Sequence, residues 1–148
     1  MAPLIENKKA RLRFEVLEAY TAGIELAGYE VKSVRGRLGS LEGARVIVRG
    51  GEAFLVGMTV PPYQLANAPK DYDPERPRRL LLARKEIAEL LDAEAKKGLT
   101  IVPLEVYNNG RYLKAKIAIV RGKGKADRRE DLKRLEAKKE ADRAMRQK

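Results

Sequence analysis

The chain has 148 residues, with 32 Lys and Arg against 21 Asp and Glu for a net charge of +11, and it contains neither cysteine nor histidine. Disulfides, thiolate or imidazole zinc sites, and Ser or Cys nucleophiles activated by histidine are thereby excluded. A chain of this length forms one domain with its own core; residues 1–11 are polar and basic and no long apolar run follows, so neither a secretory signal nor a membrane span is expected, and a cytoplasmic protein is.

Over residues 11–20, Leu12, Phe14 and Val16 alternate with Arg13 and Glu15 as on a strand, and Thr21-Ala22-Gly23 reads as a turn into a second strand at Ile24, a first hairpin. Ile24 and Leu26 flank Glu25 with strand spacing, whereas Val31 and Val34 sit three apart as on a helix, so Gly28 marks a strand-to-helix corner. A helix of about two turns starts near Tyr29 and stops at Gly36, with Lys32 and Arg35 on its polar side and Arg37 just beyond, a basic ledge. Residues 44–49 and 52–60 flank Gly50-Gly51, a pair suited to the positive φ angles of a two-residue turn, which makes a second hairpin. The stretch 61–79 holds five of the seven prolines and ends in Arg76, Arg78 and Arg79 before Leu80-Leu81-Leu82. A connection this long is functional or mobile, and its arginines make it, after the ledge, a second candidate for contact with an anionic partner. The helix that follows, up to Gly98, is expected to bury Ile87, Leu90, Leu91 and Ala95, with Lys96 and Lys97 answering its C-terminal dipole. Residues 99–107 and 111–121 then make a third hairpin through Asn108-Asn109-Gly110, with Leu113, Ala115, Ile117 and Ile119 alternating against Lys114, Lys116 and Ala118. Pro103 marks an edge or a bulge.

This order predicts a mainly β fold with helices: a small antiparallel six-stranded barrel of the oligonucleotide-binding kind, with two or three short helices and a basic C-terminal tail. A closed barrel and an open sheet packed on helices bury the same alternating residues, so closure stays open. The expected division is a barrel domain over 1–121 and a tail over 122–148. Residues 121–148 carry twelve basic and six acidic side chains, and Leu132, Leu135, Ala137, Ala141 and Met145 make no full apolar stripe. Such a segment is expected to be disordered when free. Asp127 with Glu130 three residues on has the form of an N-cap pair, so a helix forms on the partner. That partner is polyanionic, and the absence of a Trp, Phe and Leu face favours nucleic acid over a membrane.

Other chemistries fail on detail. Gly23 and Gly28 have P-loop spacing, but Tyr29-Glu30 stand where Lys and Ser or Thr are required. Asp71, Asp73 and Glu75 resemble the start of a calcium loop, yet Arg76 and Leu82 occupy the positions of its Gly and Glu. Glu25 and Glu30 lie on either side of the Gly28 corner with nothing to aim them together, which gives them structural or hydrogen-bonding roles. Tyr29, Tyr63 and Tyr72 can be read either as core residues with surface hydroxyls or as stacking platforms for bases.

The run Ala22-Gly23-Ile24, Gly28, Glu30-Val31-Lys32-Ser33 and Arg35 resembles the signature of the SmpB family, the small protein B that binds transfer-messenger RNA. Asn7, Lys9, Ala10 and Arg11 fit its opening segment; residues 51–55 and Pro62-Tyr63 fit its middle. Asp73-Pro74, Arg76, Arg78, Leu80-Leu81-Leu82 and Glu86-Ile87 match its long loop and helix start, and Gly98-Leu99-Thr100, Val102-Pro103-Leu104, Tyr107 and Gly122-Lys123 follow in order. Three departures stand out: Tyr72 replaces a histidine, Gly36-Arg37 replaces the usual Ala-Gly after Arg35, and Gly124 interrupts paired lysines of the tail. Arg128 stands for a lysine, which keeps the charge.

The resemblance implies a monomeric, non-enzymatic RNA-binding protein without a cofactor. Its body holds the transfer-RNA-like domain of transfer-messenger RNA (tmRNA), and the pair is delivered to stalled ribosomes for trans-translation. The tail enters the empty messenger channel at the small-subunit RNA and decoding region, and the elongation factor carrying aminoacylated tmRNA is an indirect partner. Carried over position by position, the RNA-binding residues of the body are Asn7, Lys9, Arg11, Glu30, Lys32, Ser33, Arg35, Arg37, Arg76, Arg78, Arg79 and Leu81, and the ribosome-binding residues of the tail are Gly122, Lys123, Lys125, Asp127, Arg128 and Arg129. The alternatives are a general RNA-binding or ribosome-associated barrel protein and, more remotely, a carboxylate-based metal nuclease.

Overall fold

The computed structural model describes residues 3–64, 68–122 and 138–139. Strand β1 (Pro3–Glu6) leads into helix α1 (Lys8–Arg13), then β2 (Phe14–Ile24), α2 (Gly28–Arg35), β3 (Arg45–Arg49), β4 (Glu52–Val56), β5 (Arg78–Leu81), α3 (Arg84–Ala95), β6 (Leu99–Asn109) and β7 (Tyr112–Gly122). The strands form one antiparallel sheet in the order β1-β6-β7-β2-β5-β4-β3. The fold is mainly β with helices, as the sequence predicts, but the sheet has seven strands rather than six and is not closed by hydrogen bonds between β1 and β3. It curls far enough to bring β3 against β6.

The first predicted hairpin does not exist. Residues 8–13 are helical, and Thr21-Ala22-Gly23 continue β2, which pairs with β7 along most of its length and with β5 at Gly23 and Ile24. Gly23 is used for closeness rather than for turning, since a Cβ there would stand 3.2 Å from the Leu81 Cβ of β5. Strands β1 and β5 each have only four residues, one containing Pro3 and the other opening on Arg78-Arg79, and neither shows apolar alternation in the sequence.

Other expectations hold. Gly50 and Gly51, at φ 59° and 76°, make the two-residue turn between β3 and β4. Gly110, at φ 64°, opens the turn between β6 and β7, but the turn is Gly110-Arg111, and Asn108 and Asn109, predicted in it, pair with Leu113 and Tyr112 as the end of β6. Pro103 sits at a bulge of β6, whose register against β7 shifts between Pro103 and Glu105. Asn7 locks onto that bulge: its N–H donates to Leu104 O at 2.8 Å and its Nδ2 to Pro103 O at 2.9 Å, while its Oδ1 caps α1 by accepting from Ala10 N at 3.3 Å.

The alternation of β7 puts Leu113, Ala115, Ile117 and Ile119 into the main core with Val34 of α2 and Leu90 and Ala93 of α3. Ala118 and Val120 point to the opposite face, where a smaller cluster with Val102 and Leu104 is covered by Ala10 of α1. Covering both faces explains why the middle of β6 and β7 reads as continuous apolar runs. The stripe predicted for α3 is rotated: Leu90 is buried, but Leu91 is 52% exposed and Ala95 is exposed. Glu94 turns inward instead, accepting from Val48 N at 2.8 Å and from Arg49 Nη1 at 2.5 Å, so α3 satisfies part of the β3 edge. Among the described residues no helix is long and apolar enough to cross a membrane.

Candidate nucleic-acid interface

Helix α2 is built on one carboxylate. Glu30 Oε1 accepts the Ala27 N–H at 2.9 Å, satisfying a donor at the helix start, and also pairs with Arg76. Its Oε2 accepts from Arg78 Nη2 at 2.6 Å and Nε at 2.9 Å. Of its three other N–H groups, Arg78 directs the two on Nη1 to Met58 O and Arg76 O, and the second on Nη2 is shared between Pro74 O and the Tyr72 hydroxyl, all at 2.8–3.1 Å. The Tyr72 hydroxyl lies 2.7 Å from Val60 O and 3.0 Å from Glu30 Oε2, and its single proton serves one of them at a time. Both Glu30 and Arg78 are 0% exposed, and among the described residues no buried side-chain polar atom lacks a partner.

Burial alone would raise the Glu30 carboxyl, but the hydrogen bonds from Arg76, the Ala27 N–H and Arg78 outweigh it and hold the group below the ordinary carboxylate range. The same contact with Glu30 raises Arg76 further. One carboxylate between two guanidiniums leaves the cluster cationic, and Arg76, with 36% of its side chain exposed, is where that charge reaches solvent.

Above this base lie the predicted ledge residues. Lys32, Arg35 and Arg37 are all exposed, and Arg35 Nη2 donates to Arg111 O at 3.0 Å. Arg37 has φ 63°, a left-handed conformation that favours glycine, and it places a further exposed cation just beyond α2. Ser33 is buried, its Oγ donating to Pro61 O at 2.6 Å, which ties the start of the proline-rich loop to α2. On β5, Arg79 lies between Glu52 at 3.1 Å and Glu25 at 3.6 Å, and Leu81 is 49% exposed. Leu81 lines a groove of about 410 Å3 with Gly23, Ile24, Leu26, Val31 and residues 111–114.

The structure thus brings together the ledge, Arg76 and the β5 residues, and it moves Glu30, Ser33 and Arg78 from the predicted contact surface into the base that supports it. Asn7 is likewise buried, as the α1 cap. Lys9 and Arg11 are exposed on α1, on the opposite side of β6 and β7; Lys9 pairs with Glu42, and Arg11 Nη2 lies 3.9 Å from Glu105. Gly122 ends β7 opposite Phe14, at the same end as α1. Lys123, Lys125, Asp127, Arg128 and Arg129 lie outside the described residues. Sequence reasoning missed Arg111 and Lys114 beside the groove and the place of Tyr72 in the Glu30 cluster, both of which depend on contacts remote in sequence. Among the described residues no group of three or more His, Cys, Asp or Glu side chains could hold a metal ion.

Known proteins share this architecture. A chain solved in work on "tmRNA-SmpB: a journey to the center of the bacterial ribosome" superimposes with a TM-score of 0.69 at 39% identity, covering 88% of this chain and 95% of its own. SsrA-binding proteins of Microcystis aeruginosa (42% identity, 96% of this chain and 92% of theirs) and Thermosipho africanus (44%, 92% and 91%) are similar over nearly the whole length. That of Gloeobacter violaceus is 43% identical, over 97% of this chain and 93% of its own. The family model described as SmpB protein matches residues 4–147, and the chain belongs to the SmpB family.

Proposed function

We propose that this protein binds the transfer-RNA-like domain of tmRNA with its β-sheet body and delivers it to stalled ribosomes for trans-translation. The observation that carries the reading is the exposed Lys32, Arg35 and Arg37 face, held rigid from below by buried Glu30, in a chain whose relatives are SsrA-binding proteins. A fixed cationic surface recognises a folded RNA through shape and phosphate position, and each neutralised phosphate releases condensed counterions. Arg76, Arg79 and Leu81 extend this surface across β5, while Lys9 and Arg11 form a second basic face. Residues 1–121 act as the RNA-binding body, and the segment 122–148 is the ribosome-binding part that occupies the empty messenger channel. The protein works in the cytoplasm, as a binder that makes and breaks no covalent bond.

The test is selectivity at physiological salt. The transfer-RNA-like domain should bind the purified protein well ahead of bulk transfer RNA, and sequencing of copurifying RNA should return tmRNA. Equal affinity for both would identify a general RNA-binding protein instead.

A further inference from the structure

Beside the ledge lies a second feature that phosphate contacts leave unused. Gly28, Lys32 and Gly36 are four residues apart and form one line along α2. The Ser33 hydroxyl holds the Pro61 carbonyl, and Pro61-Pro62, with φ fixed by their rings, carry Tyr63 onto this line. Its Cε2 stands 3.5 Å from where a Gly36 Cβ would be, and the residue is still 52% exposed. Between Tyr63 and the helix is a cleft of about 280 Å3, lined also by Gly28, Tyr29, Lys32 and Gln64. Tyr29 forms its fixed wall, packed edge-on against Tyr72 at 5.0 Å and 84°. At Gly28 an added Cβ would meet nothing within 4 Å among the described residues, so that end of the cleft has room for a side chain.

We propose that this cleft is a subsite for one unstacked nucleotide of the bound RNA, with its base stacked on Tyr63 beside Tyr29 and its phosphate on Lys32. The size fits, since the volume is below the roughly 300–1,000 Å3 of sites for drug-sized ligands and matches a single base. The chemistry fits as well: an aromatic face accepts any base, an adjacent ammonium neutralises the phosphate, and tertiary-folded RNA displays such splayed nucleotides. A tyrosine present only to cover Gly36 needs neither the lysine nor the room at Gly28. The inference rests on the tmRNA reading above and assigns the nucleotide to tmRNA, because the cleft adjoins the ledge that faces it.

Two variants that preserve the fold test it. Tyr63→Leu keeps apolar cover over Gly36 but has no aromatic face, and Gly28→Leu fills the cleft from a position with free space and a good helix former. Each should weaken binding of the transfer-RNA-like domain by at least about fivefold, with melting temperature and salt slope unchanged, whereas Tyr63→Phe binds like the parent. Lys32→Ala should lower the salt slope by about one. Parental affinity in both Leu variants overturns the subsite, and so does a loss seen only on ribosomes. If the parent itself shows no preference for the transfer-RNA-like domain, the tmRNA reading fails on its own. The same variants measured on single-stranded oligouridylate then decide the subsite separately: weaker binding keeps it, equal binding removes it.

Discussion

Glu30 supports the exposed cations of α2 from inside the core. It is buried with Arg78, and its two oxygens take up the Ala27 N–H, both guanidiniums and the Tyr72 hydroxyl. Hydrogen bonding of this density leaves no buried side-chain nitrogen or oxygen of the described residues without a partner, but it makes removal of one partner expensive, because the other charge stays behind without a counterion. Glu30→Gln is expected to destabilise the fold by about 3–5 kcal/mol, read as a lower urea midpoint at constant slope. The pH dependence follows from the depressed carboxyl. Between its folded value and the unfolded value near 4.3 the unfolded chain binds more protons, so stability rises with pH there. The contribution is complete above that unfolded value and is lost as pH falls through the folded one. The parent should therefore lose stability in acid more steeply than Glu30→Gln; parallel acid limbs, or a loss under about 1 kcal/mol, would show that the pair is not a keystone.

At the scale of elements, local chemistry was legible and remote pairing was not. Gly50-Gly51, the start and stop of α2 and the alternation in β7 each follow from a few adjacent residues, and all three stand in the structure. The four-residue β5 is a strand only because β2 and β4 receive it on either side, and Thr21-Ala22-Gly23 stays extended because Leu81 packs on Gly23. On α3, the hydrogen bonds of Glu94 to β3 turn the helix away from its simplest apolar stripe. The candidate site divides in the same way: the exposed cations of α2 were readable, whereas the burial of Glu30, Ser33 and Arg78 depends on a loop that returns 28–48 residues later. Since the ledge is all surface, replacing Lys32, Arg35 and Arg37 by Ala should move stability by less than about 1 kcal/mol. The same change should lower the salt slope of RNA binding by about 2–3. Arg37→Gly sharpens the point, because glycine suits the φ of 63°. It should melt no earlier than the parent yet bind RNA more weakly, and a variant that melts earlier with unchanged affinity would make Arg37 a structural residue.

At the scale of the whole molecule, every buried apolar residue of the described chain lies between Ile5 and Val120. Strand β7 ends at Gly122, already paired with Phe14, so a chain ending there keeps all seven strands and both clusters. It also keeps the α2 ledge, the Glu30 cluster and the Tyr63 cleft. What it loses is charge: residues 123–148 carry eleven basic and six acidic side chains. If body and tail hold different RNAs, truncation after Gly122 should leave the melting temperature and most of the affinity for the transfer-RNA-like domain, with a modestly smaller salt slope. Peptide tagging on truncated messages should nevertheless stop. Joint replacement of Asp127, Arg128 and Arg129 should reproduce that loss in the full-length chain, because it removes one carboxylate and two phosphate-seeking guanidiniums while leaving the body intact. A truncated protein that still supports tagging would place ribosome recognition in the body. One that loses affinity for the free transfer-RNA-like domain by more than about a hundredfold would make the tail part of the tmRNA site, since that is more than the shed excess charge accounts for at physiological salt.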